Sequence, residues 1–217
     1  MLELYGHPFS SYTWKALIPL YANDTAFAFR QLGPDHPEHG EALARHSPMG
    51  KFPLLVEGDR VVFEASAIID YLDLHHPGAM RFVPADPDAA LEMRMMDRVF
   101  DNYVMTPMQR IVTDAMRPEG ERDPAAVAQA QDELDRIYAW LDGRVAGYAT
   151  AGAHLTLCDC AAAPSLFYAD WVQPIAADHV ALRAYRARLL AHPVVARVVD
   201  DARPYRALFP LGAPDRD

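Results

Sequence analysis

An α/β domain followed by an all-helical one is the fold class predicted for this 217-residue chain. Three observations carry it. Apolar periods alternate between strand-like and helix-like up to His76, a Pro-rich interruption follows, and everything beyond it has helical spacing. In order, "LELY" reads as a short strand, "TWKALIPLYAN" as a helix with an apolar stripe starting near Trp14, and "AFAFRQL" as an alternating strand. "SPMGKFPLLVEGDRVVFE" reads as two strands turned at Glu57-Gly58-Asp59-Arg60, and "EASAIIDYLDLHH" as a closing helix.

This βαβ-ββα order gives a small mixed sheet flanked by helices, the thioredoxin-like arrangement, over residues 1–77. "PGAMRFVPADPDAA", with Pro77, Gly78, Pro84 and Pro87, supplies a linker at 78–87. In the helical domain of 88–217, Met93, Met96, Phe100, Val104, Met108 and Ile111 recur every three or four residues as a core-facing stripe, and Pro107 is expected to kink that helix. Further helices are read over "PAAVAQAQDELDRIYAWLDGRVAG" and "TLCDCAAAPSLFYADWV", around Val180 to Leu190, and from Val194 to Ala202. Thr156 and Asp159 have the spacing of a capping box.

A chain that is 51% hydrophobic can bury a full core. Its formal charge of −10 opposes binding to phosphate backbones and anionic lipid, so neither nucleic acid nor membrane is expected as a partner. No apolar run reaches the ~20 residues of a membrane helix and no signal peptide is read at the N-terminus, which points to the cytoplasm. Cys158 and Cys160 lie two apart on a helix and face different ways. They suit neither a disulfide nor a metal clamp.

Three stretches could carry chemistry. In "LYGHPFSSYTWK", Ser10, Ser11, Tyr12 and Thr13 precede a helix; they can cap it, or one can donate to a reacting atom. The absence of a G-x-S-x-G elbow argues against hydrolysis, and that of a Cys-x-x-Cys argues against dithiol redox chemistry. In "GKFPLL", Pro53 opens a strand without an N–H to give, so it either begins an edge strand or follows a cis bond that bares the backbone of Phe52 for an extended ligand. In "FEASAIIDYL", Glu64, Ala65 and Ser66 form a helix start whose free N–H groups attract a carboxylate, while Glu64 could accept from an ammonium. Simple capping is the alternative. No metal site is expected, because His36 and His39 are read as lying in a Pro-rich loop without carboxylate or thiolate support.

Taken together and in register, these pieces resemble the soluble glutathione S-transferases over nearly the whole chain. "GHPFSSYTWKALI" is similar to the phi-class Gly-His-Pro-x-Ser pattern and to the zeta-class Ser-Ser-Cys-Ser-Trp-Arg run. "SPMGKFPLL" resembles the family's Pro-x-Gly-x-x-Pro segment with its cis-proline, "EASAIIDYL" its Glu/Gln-Ser-x-Ala-Ile helix start, and "TLCDC" its capping box. The resemblance implies that glutathione is co-substrate, that no metal takes part, and that a small hydrophobic electrophile is the second substrate of a homodimeric transferase. It implies that Ser10, Ser11 or Tyr12 faces the sulfur. Phe9, His39, Lys51, Phe52, Pro53, Glu64, Ala65 and Ser66 would hold glutathione; Phe9, Tyr12, Tyr103, Pro107 and Ile111 would line the electrophile site. Two departures stand out: Ala65 occupies the position where the family usually has Ser, with Ser66 one place later, and Tyr12 stands where the zeta class has Cys. Maleyl-type cis–trans isomerisation and a non-catalytic binding module remain the alternatives.

Overall fold

A computed structural model describes residues 1–149, 152 and 154–217. The chain opens with β1 (Leu2–Gly6), α1 (Ser11–Ala22), β2 (Phe27–Gln31) and α2 (Pro37–His46). The hairpin β3 (Leu54–Glu57) and β4 (Arg60–Phe63) and the helix α3 (Ala65–His75) follow. The sheet order is β2-β1-β3-β4, with β1 and β2 parallel and the other pairs antiparallel. Side chains alternate across it as a strand's period of two requires. Leu4 and Leu55 join Trp14, Leu17, Ile68 and Leu72 of α1 and α3 on one face, while Tyr5, Leu54 and Val56 meet Ala42 and Leu43 of α2 on the other.

Helix α2 corrects the reading of His36 and His39 as lying in a Pro-rich loop: His36 is the N-cap of the helix and His39 is inside it. Its sequence, "PEHGEALARH", buries only Ala42 and Leu43, so it carries almost no apolar period. What marks it is end chemistry: Pro37 in the first turn, Glu38 beside it, and Arg45 and His46 in the last turn, where they complement the helix dipole.

The second half is helical: α4 (Pro87–Val99), a π-helical segment (Phe100–Met105), α5 (Thr106–Ala115), α6 (Pro124–Asp142), α7 (Ala146–Ala149), α8 (Leu157–Val172), α9 (Val180–Ala191) and α10 (Pro193–Ala202). All six residues of the Met93–Ile111 stripe are buried. Where a kink at Pro107 is expected, the helix widens one turn earlier. The Asp101 carbonyl accepts from both the Thr106 N–H and, at 3.1 Å, the Thr106 hydroxyl, so the π segment absorbs the ladder bond that Pro107 cannot make.

Helix α8 runs through the middle of this half with nearly every side chain buried. Both halves of its capping box form. Thr156 Oγ1 accepts from the Asp159 N–H at 3.3 Å, and Asp159 Oδ2 accepts from the Thr156 N–H at 2.8 Å. Thr156→Ala is expected to lower stability by about 0.5–2 kcal/mol, read as a fall in the urea midpoint at unchanged slope. Both cysteines of α8 are free and buried, and burial pushes both thiols up, away from the reactive thiolate. Alkylating reagents should therefore leave the native chain unlabelled and modify both thiols once it is unfolded. No described helix is long and apolar enough to cross a membrane.

Candidate active site

The β1–α1 turn is fixed from both sides. A Cβ on Gly6 would come within 2.7 Å of the Thr13 side chain, so only glycine lets the strand end approach the helix start this closely. Thr13 Oγ1 accepts from the His7 N–H at 3.3 Å, and Trp14 Nε1 donates to the Pro8 carbonyl at 2.6 Å. From the helical half, the Tyr168 hydroxyl of α8 donates to the Phe9 carbonyl at 2.9 Å.

Ser10 is the N-cap of α1, which begins at Ser11, three residues before the start read near Trp14. Its Oγ accepts from the Thr13 N–H at 3.4 Å. That bond uses a lone pair and leaves the hydroxyl hydrogen free to donate. Ser11 is only 7% exposed. Tyr12 is partly buried, and burial, with the Asp101 charge behind it, pushes its phenol up to about 12. It therefore keeps its proton throughout the neutral range.

Two clefts meet at Ser10. One, of about 540 Å³, runs past Tyr12, Lys51, Phe52, Pro53, Glu64 and Ala65 to Arg98, Asp101, Asn102 and Gln109. The other, of about 410 Å³, is walled by Phe9, Met108, Val112, Met116, Tyr168 and Phe209, with Ser10, Ser11, Lys51 and Gln109 on its border. The Phe52–Pro53 bond is cis. Glu64, at the entrance to α3, has φ 71° and ψ 116°, a conformation that costs a non-glycine residue of order 1–3 kcal/mol; its side chain makes no capping bond. The turn thus sets Glu64 and Ala65, the entrance to α3, on the lining of the first cleft.

A buried charge cluster lies beneath the floor. Lys15, 1% exposed, places Nζ 2.6 Å from both Asp97 Oδ1 and Asp101 Oδ2. Arg98 closes the outer side at 2.5 Å from Asp97 Oδ2 and 3.0 Å from Asp101 Oδ2. Burial raises the Asp101 carboxyl above the usual range, and Lys15 partly opposes it.

The chain matches the family model of the glutathione S-transferase N-terminal domain over residues 4–80 and that of the C-terminal domain over 97–193. It belongs to the glutathione S-transferase family. Among its relatives in this family, glutathione S-transferase GstB of Escherichia coli K12 is 26% identical over 208 residues, covering 92% of this chain and 98% of GstB. A stringent starvation protein A homolog of Coxiella burnetii is also 26% identical, over 86% of this chain and 83% of its own. In structure, a glutathione transferase family member from Pseudomonas fluorescens Pf-5 with bound glutathione superposes with a TM-score of 0.77. It is 24% identical and covers 91% of this chain and 98% of that one.

Within this glutathione S-transferase frame, the expected residues fall in different places. Ser10, Tyr12, Lys51, Phe52, Pro53, Glu64 and Ala65 line one cleft, and Phe9 borders the adjoining one. Ser66 lines neither cleft. Its hydroxyl donates to Asp97 Oδ2 at 2.8 Å and accepts from Arg98, so it joins the buried cluster instead of compensating for Ala65. His39 turns away as well, its Nδ1 2.7 Å from the Gln31 carbonyl. The expected electrophile wall is off by part of a turn: Tyr103 and Pro107 line a separate groove against Glu133, Arg136 and Ile137 of α6, and Ile111 is a core residue at 5% exposure. The π segment rotates Asn102, Met108, Gln109 and Val112 toward the clefts in their place. Arg98, Asn102 and Gln109 were not anticipated; three polar residues at helical spacing beside a buried stripe were the available signal.

Proposed function

We propose that the chain is a glutathione transferase that presents glutathione thiolate to small hydrophobic electrophiles. The observation that carries this is the position of Ser10 on the border of both clefts. A tripeptide lying in the first cleft would set its ammonium against Glu64, its α-carboxylate on the opening amides of α3, its backbone along Phe52, and its far carboxylate near Lys51. Its sulfur would then reach the Ser10 hydroxyl at the start of α1, where the unpaired N–H groups and the helix dipole favour an anion. The second cleft, with Phe9, Met108, Val112, Met116 and Phe209, is suited to an apolar partner. Calorimetry with glutathione and a conjugation assay with an aryl halide test the reading. Saturable binding and conjugate formation are expected, and neither across a broad electrophile panel would reject it.

Maleyl-type isomerisation fits less well. A diacid bound beside glutathione needs free cations; of the two that line the first cleft, Arg98 is engaged by Asp97 and Asp101, and Lys51 is taken in this reading by glutathione's far carboxylate. A binding module without catalysis is favoured by Ala65 and by the diversion of Ser66 to Asp97; it would show glutathione affinity weaker than millimolar in the same titration. The reading extends to a homodimer, supported by exposed Phe63 on the edge strand β4 and by exposed Leu91 and Met95 one turn apart on α4. Sedimentation is expected to give twice the mass of the chain. A reducing, cytoplasmic setting accords with two free buried thiols.

A further inference from the structure

We propose that His36, Glu38 and His39, at the entrance to α2, form a surface site for a divalent transition-metal ion of the zinc, nickel or copper type. His36 is the N-cap of α2 and Glu38 lies in its first turn, so the helix itself brings the three side chains to one end. His36 Nδ1 is 3.4 Å and His39 Nε2 3.7 Å from Glu38 Oε1, and the three donor atoms lie within 4.8 Å of one another. Ligands held ~2.0–2.1 Å from a tetrahedral metal are ~3.3–3.5 Å apart, so two of the three separations are already near those of a loaded site. Only the two histidine nitrogens must draw closer.

The orientation of His39 adds a second, independent reason. Its Nδ1 is 2.7 Å from the Gln31 carbonyl, an oxygen that can only accept, so a hydrogen sits on Nδ1 and Nε2 is the ring nitrogen turned to the Glu38 carboxylate. A cation between that nitrogen and the carboxylate joins them, and a metal ion would compete with a proton for this place. A metal-ligating histidine is commonly held this way, by a backbone carbonyl on its other nitrogen. The two imidazole rings stack with centroids 4.9 Å apart and present their edges to the same carboxylate. Two imidazoles and a carboxylate suit zinc, copper or nickel better than calcium or magnesium, and solvent can fill the remaining positions. The cluster lines neither cleft, so the ion would act as a clamp, tying the start of α2 to the edge strand β2 through His39 and Gln31.

The test uses the full chain without any added polyhistidine tag. Zinc calorimetry is expected to show one ion bound per chain, and the visible spectrum of bound cobalt should report nitrogen and oxygen ligands. His36→Gln and Glu38→Gln, at exposed positions, and His39→Gln, at a partly buried one, should each weaken zinc binding by ~10-fold or more, whereas His75→Gln should not. Absence of zinc binding, or unchanged stoichiometry and affinity in the three variants, would overturn the proposal. Glutathione binding is read separately, so failure here leaves the reading of the clefts standing.

Discussion

Replacing Ser10 by Ala is expected to raise the pKa of bound glutathione's thiol and to cut conjugation at pH values below that pKa by ~3- to 10-fold. A hydrogen bond to an ionised group is worth ~1.5–3 kcal/mol, equivalent to ~1–2 pKa units. Well below both pKa values the thiolate population falls ~10- to 100-fold, and a Brønsted slope of ~0.4–0.5 returns ~3- to 10-fold of that through the greater nucleophilicity of the remaining anion. The net loss from ionisation is therefore modest, and most of the acceleration lies in holding the electrophile against the sulfur, where orientation is worth several kcal/mol. The pH profile separates the two contributions. The thiol titrates at higher pH in the variant, so activity recovers as pH rises, and only the orientational part of the loss persists. Ser10 also caps α1, and its removal costs about 0.5–2 kcal/mol of stability. Ser10→Thr, which retains both the cap and the donor, should retain the low thiol pKa. An unchanged thiol pKa in Ser10→Ala would assign the sulfur to another donor, with Tyr12, protonated across this range, the first candidate.

The largest stability effect is expected at Lys15. Its ammonium joins α1 to two carboxylates of the helical half and is sealed from water. Removing one partner of a buried ion pair leaves uncompensated charge and costs about 3–5 kcal/mol, although the intact pair adds little over an apolar core. Lys15→Met should therefore lower the urea midpoint severely, and pairing it with Asp97→Asn should restore part of the loss. The pH dependence follows from Asp101. Its folded pKa is raised above its unfolded value, chiefly by burial, so the folded state holds more protons in the window between the two. Stability from that protonation is present at lower pH and lost as pH rises through the window. Without Lys15 the window widens, and the deficit of the variant should shrink in acid. A variant as stable as the parent at neutral pH would mean that water reaches the cluster.

Much of this was legible in the sequence because the relevant signals are local. The hairpin from Leu54 to Phe63, the apolar stripe from Met93 to Ile111 and the Thr156–Asp159 box each lie within a short run of sequence, and the structure forms all three. Ser10 and Glu64 could be placed at helix starts on the same grounds. One failure came from a partner elsewhere in the chain, and the others had no local repeat to show them. Ser66 looked available to a ligand until Asp97, 31 residues on, took its hydroxyl. Helix α2 was invisible to periodicity because it buries so little. Tyr103 and Pro107 were assigned to the cleft through the family resemblance, and the π segment from Phe100 to Met105 changes the helical phase there without any repeat to announce it.

The most direct measurement is a crystal structure of the chain grown with glutathione. The account predicts an extended tripeptide in the cleft between Pro53 and Glu64, with its sulfur within hydrogen-bond distance of Ser10 Oγ and facing the apolar wall of Phe9 and Met108. Glutathione bound outside that cleft, or inside it with the sulfur directed away from Ser10, would contradict the account.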